Sequence, residues 1–255
     1  MNKPLLQAKN VEIMFGGLKA VTNFNLELYP HELVGLIGPN GAGKTTAFNI
    51  LTGVYQPTQG DVYFQGERLN GLKPHQLVEK GIVRTFQNIR LFKMLSVLDN
   101  VKAACHRDMY YNVFDAIFRT KRFWKEERAI DEKAHEILEI FGLNDVAEEY
   151  AKNLPYGKQR KLEIARAIAT NPQLLLLDEP AAGMNPTETQ QLMSTIEFIR
   201  NHYQITVLLI EHDMKLVLGI CERLIVLDYG RIIAQGSPQD VVKNEKVIAA
   251  YLGVD

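Results

Sequence analysis

The sequence predicts an α/β fold, a sheet covered by helices with a helical subdomain inserted into it, on three observations. Short β-like runs alternate with helical stretches through most of the chain. The runs at 174–177, 205–210 and 223–228 are short and dominated by apolar residues, as strands buried on both faces are. From Val97 to about Asn153 the strand pattern stops, and Tyr110, Phe114, Ile117 and Phe118 recur at helical spacing.

Taken in order, residues 24–29 and 32–37 read as two strands joined at Pro30-His31, and a helical pattern of Ala47, Phe48, Ile50 and Leu51 follows. Residues 61–65 form the next strand, with Val62 and Phe64 alternating against Tyr63. The helical insert comes next. Beyond the 174–177 strand, Asn185-Pro186-Thr187-Glu188 offers an N-cap, a proline at the first helical position and a capping-box glutamate. Tyr229-Gly230 turns the strand at 223–228 into residues 231–235, a hairpin at the sheet margin. Ser237-Pro238-Gln239-Asp240 starts a last helical segment by the same capping logic.

The bulk properties set limits. A length of 255 residues, 46% hydrophobic and 23% charged, gives enough apolar side chains for a sizeable core. The net charge of -1 argues against a generally basic nucleic-acid coat. Cys105 and Cys221 are far apart and in no metal-like spacing, which points to a reducing compartment. His31, His75, His106, His135 and His202 likewise show no metal spacing. No run approaches the ~18 apolar residues of a spanning helix, and the first residues lack a signal-peptide hydrophobic region.

Two motifs carry chemistry. Gly38-Pro39-Asn40-Gly41-Ala42-Gly43-Lys44-Thr45-Thr46 fits G-x-x-x-x-G-K-S/T between a buried strand and a helix. Such a loop turns backbone N–H groups inward around phosphate oxygens, and the helix N-terminus adds favourable partial charge. Lys44 then reaches the β- and γ-phosphates, and the Thr45 hydroxyl can ligate Mg2+. Leu174-Leu175-Leu176-Leu177-Asp178-Glu179 brings two carboxylates out at the C-terminal end of a buried strand, where α/β sheets place ligands. Asp178 is positioned for the metal, and Glu179 to accept a proton from an attacking water. Together these describe a P-loop NTPase.

Further segments narrow it. Leu154-Pro155-Tyr156-Gly157-Lys158-Gln159-Arg160, followed by Ile164-Ala165-Arg166-Ala167, resembles the ABC-family signature, normally L-S-G-G-Q. Arg84-Thr85-Phe86-Gln87-Asn88 resembles the family's Q-loop, and residues 179–186 its D-loop region. Glu211-His212-Asp213 resembles the switch histidine, and Phe15 stands where the family has its adenine-stacking aromatic. Within that family, residues 154–157, 179–186 and the ending Ala250-Tyr251-Leu252-Gly253 are similar to ATP-binding subunits of high-affinity branched-chain amino-acid importers.

That resemblance implies a single ABC ATP-binding domain over 1–255. It has a RecA-like α/β core (1–96 and 161–255) with an antiparallel β portion, and a helical subdomain at 97–160. It implies a head-to-tail pair with a homologous or identical subunit and two ATPs at the interface. Each ATP touches the phosphate loop of one chain and the signature (Leu154, Pro155, Tyr156, Gly157, Lys158) of the other. Thr45 and Asp178 hold Mg2+, Gln87 touches the metal or the water, Glu179 activates the water, and His212 supports the γ-phosphate. Two transmembrane permease subunits, a periplasmic solute-binding protein acting indirectly, and a peripheral place on the cytoplasmic face of the inner membrane complete what it implies. A cassette for urea, amides or lipopolysaccharide, or a soluble ABC ATPase acting on ribosomes or DNA, is the alternative.

Two departures stand out. Pro155 replaces the signature serine, whose hydrogen bond to a charged phosphate is worth ~1.5–3 kcal/mol, leaving Gly157 and the following helix N-terminus to compensate. Asn185 replaces the D-loop aspartate, and equally fits a plain helix N-cap. Phe15 fits either core or, beside Gly16-Gly17, an exposed stacking position. Arg119, Lys121, Arg122, Lys125 and Arg128 interleave with Phe123 and the single tryptophan, Trp124. That mixture fits nucleic acid, a membrane surface or a solvated helix face; Glu126 and Glu127 dilute it, and no nucleic-acid partner is expected.

Overall fold

Alternate residues of the central strands point into two different cores, and this sets the architecture. The structure is a computed structural model and describes residues 3–106 and 113–252. Tyr110 and Gly253, used in the sequence reading, lie outside the described residues. The chain runs β1 (Leu6–Phe15), β2 (Leu18–Leu28), β3 (Leu33–Ile37), α1 (Lys44–Leu51), β4 (Gln59–Phe64), β5 (Glu67–Arg68), α2 (Pro74–Glu79) and β6 (Ile82–Arg84). It continues through α3 (Val97–Cys105), α4 (Val113–Phe118), α5 (Lys121–Ile140), α6 (Tyr156–Ala169) and β7 (Leu174–Asp178). It closes with α7 (Pro186–Tyr203), β8 (Thr206–Ile210), α8 (Met214–Ile220), β9 (Arg223–Asp228), β10 (Arg231–Gly236), α9 (Pro238–Val241) and α10 (Glu245–Leu252).

The larger sheet has the order β10-β9-β3-β8-β7-β6 and is parallel except for the β9–β10 hairpin at its edge. Leu174, Leu176, Leu208 and Ile210 face a core shared with α1 and the antiparallel sheet β2-β1-β4-β5. Leu175, Leu177, Val207 and Leu209 face a second core with α3, α5 and α6. Burial on both faces is why these strands read as unbroken apolar runs.

The sequence reading departs from this in several places, and it also lacks β5, α2 and β6, which are too short to show a period. The strands expected at 24–29 and 32–37 belong to different sheets: β2 pairs β1 in the antiparallel sheet, and β3 lies between β8 and β9. His31 makes the break with a φ of 67°. β1 escaped notice because register shifts after Ala8, Val11 and Ile13 interrupt its period-two alternation. The helical layer also crosses the expected 160/161 boundary, since α6 runs unbroken from Tyr156 to Ala169. Leu162, Ala165, Ile168 and Ala169 of that helix are buried in the same core as α3 and α5, so no break is favoured there.

Candidate active site

The phosphate loop is shaped by close approach. A Cβ on Gly38 would meet the Leu227 carbonyl oxygen of β9 at 2.0 Å, and one on Gly43 would meet the Ala20 oxygen at 2.9 Å. Gly43 also has a φ of 98°, so glycine is required twice over. The Ala20 contact brings the β1–β2 hairpin against the loop. At its tip Phe15 is 45% exposed and packs edge-on against Tyr55, with ring centroids 5.2 Å apart. Phe15 is therefore a surface aromatic, and Tyr55 is a neighbour that sequence reasoning missed.

Lys44 opens α1 and folds back over the loop, its Nζ donating to the Gly38 and Pro39 carbonyls at 2.7 and 2.9 Å. Burial pulls its pKa below the usual lysine value, while Glu179 and Asp178 pull it back up. Thr45 is exposed, and its hydroxyl meets no partner among the described residues. Asn40 and Gly41 are also open, whereas Pro39 and Ala42 are half-buried and buried, and Thr46, the third residue of α1, is half-buried.

Asp178 ends β7 at 3% exposure. Its Oδ2 accepts from Arg84 Nη2 at 2.6 Å, and Oδ1 accepts from no described residue. Arg84 Nη1 donates to Asn49 Oδ1 at 2.6 Å, so one guanidinium ties β7 to the helix behind the phosphate loop. Glu179, next in sequence, has a φ of 47°, a conformation that costs energy for a non-glycine residue and turns its carboxylate out of the strand. Gln87 Nε2 donates to Glu179 Oε2 at 3.1 Å, and His212 Nδ1 lies 3.9 Å from Glu179 Oε1. The structure thus brings together three sequence-predicted residues from three separate segments.

Glu211, 1% exposed, accepts from the Ala181 and His212 backbone N–H groups at 3.0 and 3.2 Å. It fastens the turn after Glu179 to the histidine, and burial raises its carboxyl pKa.

The signature segment lies elsewhere. Among the described residues no hydrogen bond or ion pair joins it to the phosphate loop. Leu154 is buried; Pro155 is the N-cap of α6 and offers no side-chain cap, so the first amides of the helix, at Tyr156, Gly157 and Lys158, keep their donors free of helical partners. Lys158 is paired with Asp145 at 2.9 Å. Arg160 is fully buried, donating to the Phe86 and Gln87 carbonyls at 2.6 and 2.7 Å, to Tyr156 Oη at 3.0 Å and to Glu163 at 2.8 Å. One side chain thereby binds the signature helix to the segment carrying Gln87. Asn185 caps α7 in a reciprocal box with Glu188, both bonds 3.0 Å, so the capping reading of that residue is realised.

The oxygen donors of Thr45, Asp178 and Gln87 suit a hard cation such as Mg2+. Among the described residues no cluster of three or more His, Cys, Asp or Glu could hold a metal alone.

The chain is similar to known proteins along its whole length. The family model described as ABC transporter matches residues 21–182, and one described as branched-chain amino acid ATP-binding cassette transporter matches residues 231–255. The chain is 48% identical over 253 residues, 99% of both chains, to the high-affinity branched-chain amino acid transport ATP-binding protein LivG of Escherichia coli. Among solved structures it is similar to the ADP conformation of the ATP-binding cassette MJ1267, with a TM-score of 0.84, 32% identity and coverage of 99% of this chain and 100% of that one. It is also similar to the dimeric bacterial ABC transporter cassette MJ0796, with a TM-score of 0.77, 26% identity and coverage of 91% and 98%. The chain belongs to the ABC transporter family, as one of its ATP-binding cassettes and an ATPase.

Proposed function

We propose that the chain hydrolyses ATP as one half of a head-to-tail pair of cassettes and so powers import of branched-chain amino acids through two separate permease subunits. The observation that carries the chemistry is Glu179, turned out of β7 beside Asp178, held by Gln87 and facing His212. A carboxylate so placed accepts a proton from the attacking water, and Gln87 and His212 orient it and the γ-phosphate. Lys44 leaves the loop carbonyls for the β- and γ-phosphates, and the loop amides take up developing charge. Thr45, Asp178 Oδ1 and Gln87 would hold Mg2+, which when bound neutralises phosphate charge. Phe15 stacks on adenine. The α6 amides from Tyr156 to Lys158 are available to the nucleotide of the second cassette, offsetting the lost serine hydroxyl.

The substrate reading is supported by the branched-chain match over residues 231–255, outside the nucleotide motifs, and by the Escherichia coli relative. No described helix is long and apolar enough to cross a membrane. We assign the solute path to the permeases, the cassette to the cytoplasmic face of the inner membrane, and an indirect role to a periplasmic binding protein. Proteoliposomes containing the chain, its cognate permeases and binding protein should take up leucine on addition of magnesium ATP, and unlabelled isoleucine and valine should compete. Uptake of urea or an amide instead would overturn the substrate reading.

A further inference from the structure

The helical subdomain carries an arm that the nucleotide site does not use. Lys102 pairs with Asp131 at 2.8 Å, and His106 Nε2 lies 3.7 Å from Glu127, which fixes α3 alongside the middle of α5. The first turns of α5 therefore extend past the end of α3, and its buried residues begin only at Ile130. On this arm Phe114, Ile117, Phe118 and Trp124 are 63, 69, 64 and 54% exposed.

The charges are segregated. Arg119, Lys121, Arg122, Lys125 and Arg128 are all exposed, whereas Asp115, Glu126 and Glu127 are half-buried. Those carboxylates are engaged locally: Thr120 Oγ1 donates to Asp115, Arg122 pairs with Glu126, and Glu127 faces His106. Arg119, Lys121, Lys125 and Arg128 pair with no carboxylate among the described residues.

We infer that this arm binds the surface of a bilayer containing anionic phospholipid. Its cations meet headgroup phosphates, and its aromatic and aliphatic side chains enter the headgroup boundary. Exposed tryptophan and phenylalanine beside long unpaired cations is the composition of a membrane interface, where aromatic rings sit at headgroup level and Lys and Arg stems lie along apolar surface. The net charge of -1 on the whole chain makes this attraction local to the arm. The inference is independent of the nucleotide site and of the solute.

Trp124 is the single tryptophan, so its emission reports on the arm without a label. The full-length protein is mixed with vesicles of phosphatidylcholine alone, or of phosphatidylcholine with phosphatidylglycerol. The expected result is a blue shift and co-flotation with the anionic vesicles, about tenfold weaker with neutral ones. Binding should fall about tenfold as salt shortens the screening length. The triple variant K121E/K125E/R128E should lose binding while keeping ATP turnover, and I117S/F118S should reduce the blue shift. Binding that is absent, equal on neutral lipid or unchanged by charge reversal would overturn the inference. So would a shift obtained only with vesicles carrying the permeases, or with single-stranded DNA in place of lipid.

Discussion

Arg84 and Asp178 form an ion pair with Nη2 and Oδ2 2.6 Å apart and both side chains at most 6% exposed. Coulomb attraction in a buried site is offset by desolvation, so the pair fixes geometry more than it adds stability. Removing only the cation strands a buried carboxylate. Arg84→Met should therefore lower unfolding free energy by about 3–5 kcal/mol in urea titrations. Adding Asp178→Asn should recover most of that loss but leave ATP turnover abolished, because the same carboxylate is the one proposed to hold Mg2+.

Arg160 makes a second prediction. Tyr156→Phe removes one of its four partners and should cost about 0.5–1.5 kcal/mol. The double change Arg160→Met/Glu163→Leu removes both buried charges, so stability should stay within about 2 kcal/mol of wild type. The Phe86 and Gln87 carbonyls lose their donor in that variant. Amide exchange around Gln87 should quicken and turnover should fall, and unchanged exchange there would contradict the role of Arg160 as a positioning residue.

Glu211 makes the third, through pH. Burial raises its folded pKa above the ordinary value of 4.5. Between those two values the folded state holds a proton that the unfolded state has lost, so stability falls as pH rises through the window. Glu211→Gln abolishes that contribution and keeps an acceptor for the Ala181 N–H. The stability of the variant relative to wild type should therefore rise with pH above 4.5 and level off once Glu211 is fully ionised. A flat difference across the series would show that Glu211 does not titrate this way.

Much of the site was legible in sequence because its parts are local. The phosphate loop, Asp178-Glu179 and His212 each follow a buried apolar strand, and that juxtaposition is visible in a linear reading. What escaped depends on distant approach. Arg84 ends a three-residue strand, too short to show a period, and its partner is 94 positions away. Arg160 looks like one more cation in a polar helix start, yet it is fully buried against carbonyls 73 and 74 positions earlier. Tyr55 lies in a turn with no pattern, and only the fold brings it to Phe15. The antiparallel sheet was the weakest part of the reading, because the bulged β1 hides its alternation.

Glu179 is the proposed base for water attack, and one substitution isolates it. Glu179→Gln keeps the size of the side chain and an oxygen for the Gln87 amide, and removes the proton acceptor. Measured with saturating magnesium ATP in the reconstituted transporter, the variant should bind nucleotide normally and hydrolyse it at least ~100-fold more slowly, as loss of a general base requires. Near-normal steady-state turnover would contradict the assignment.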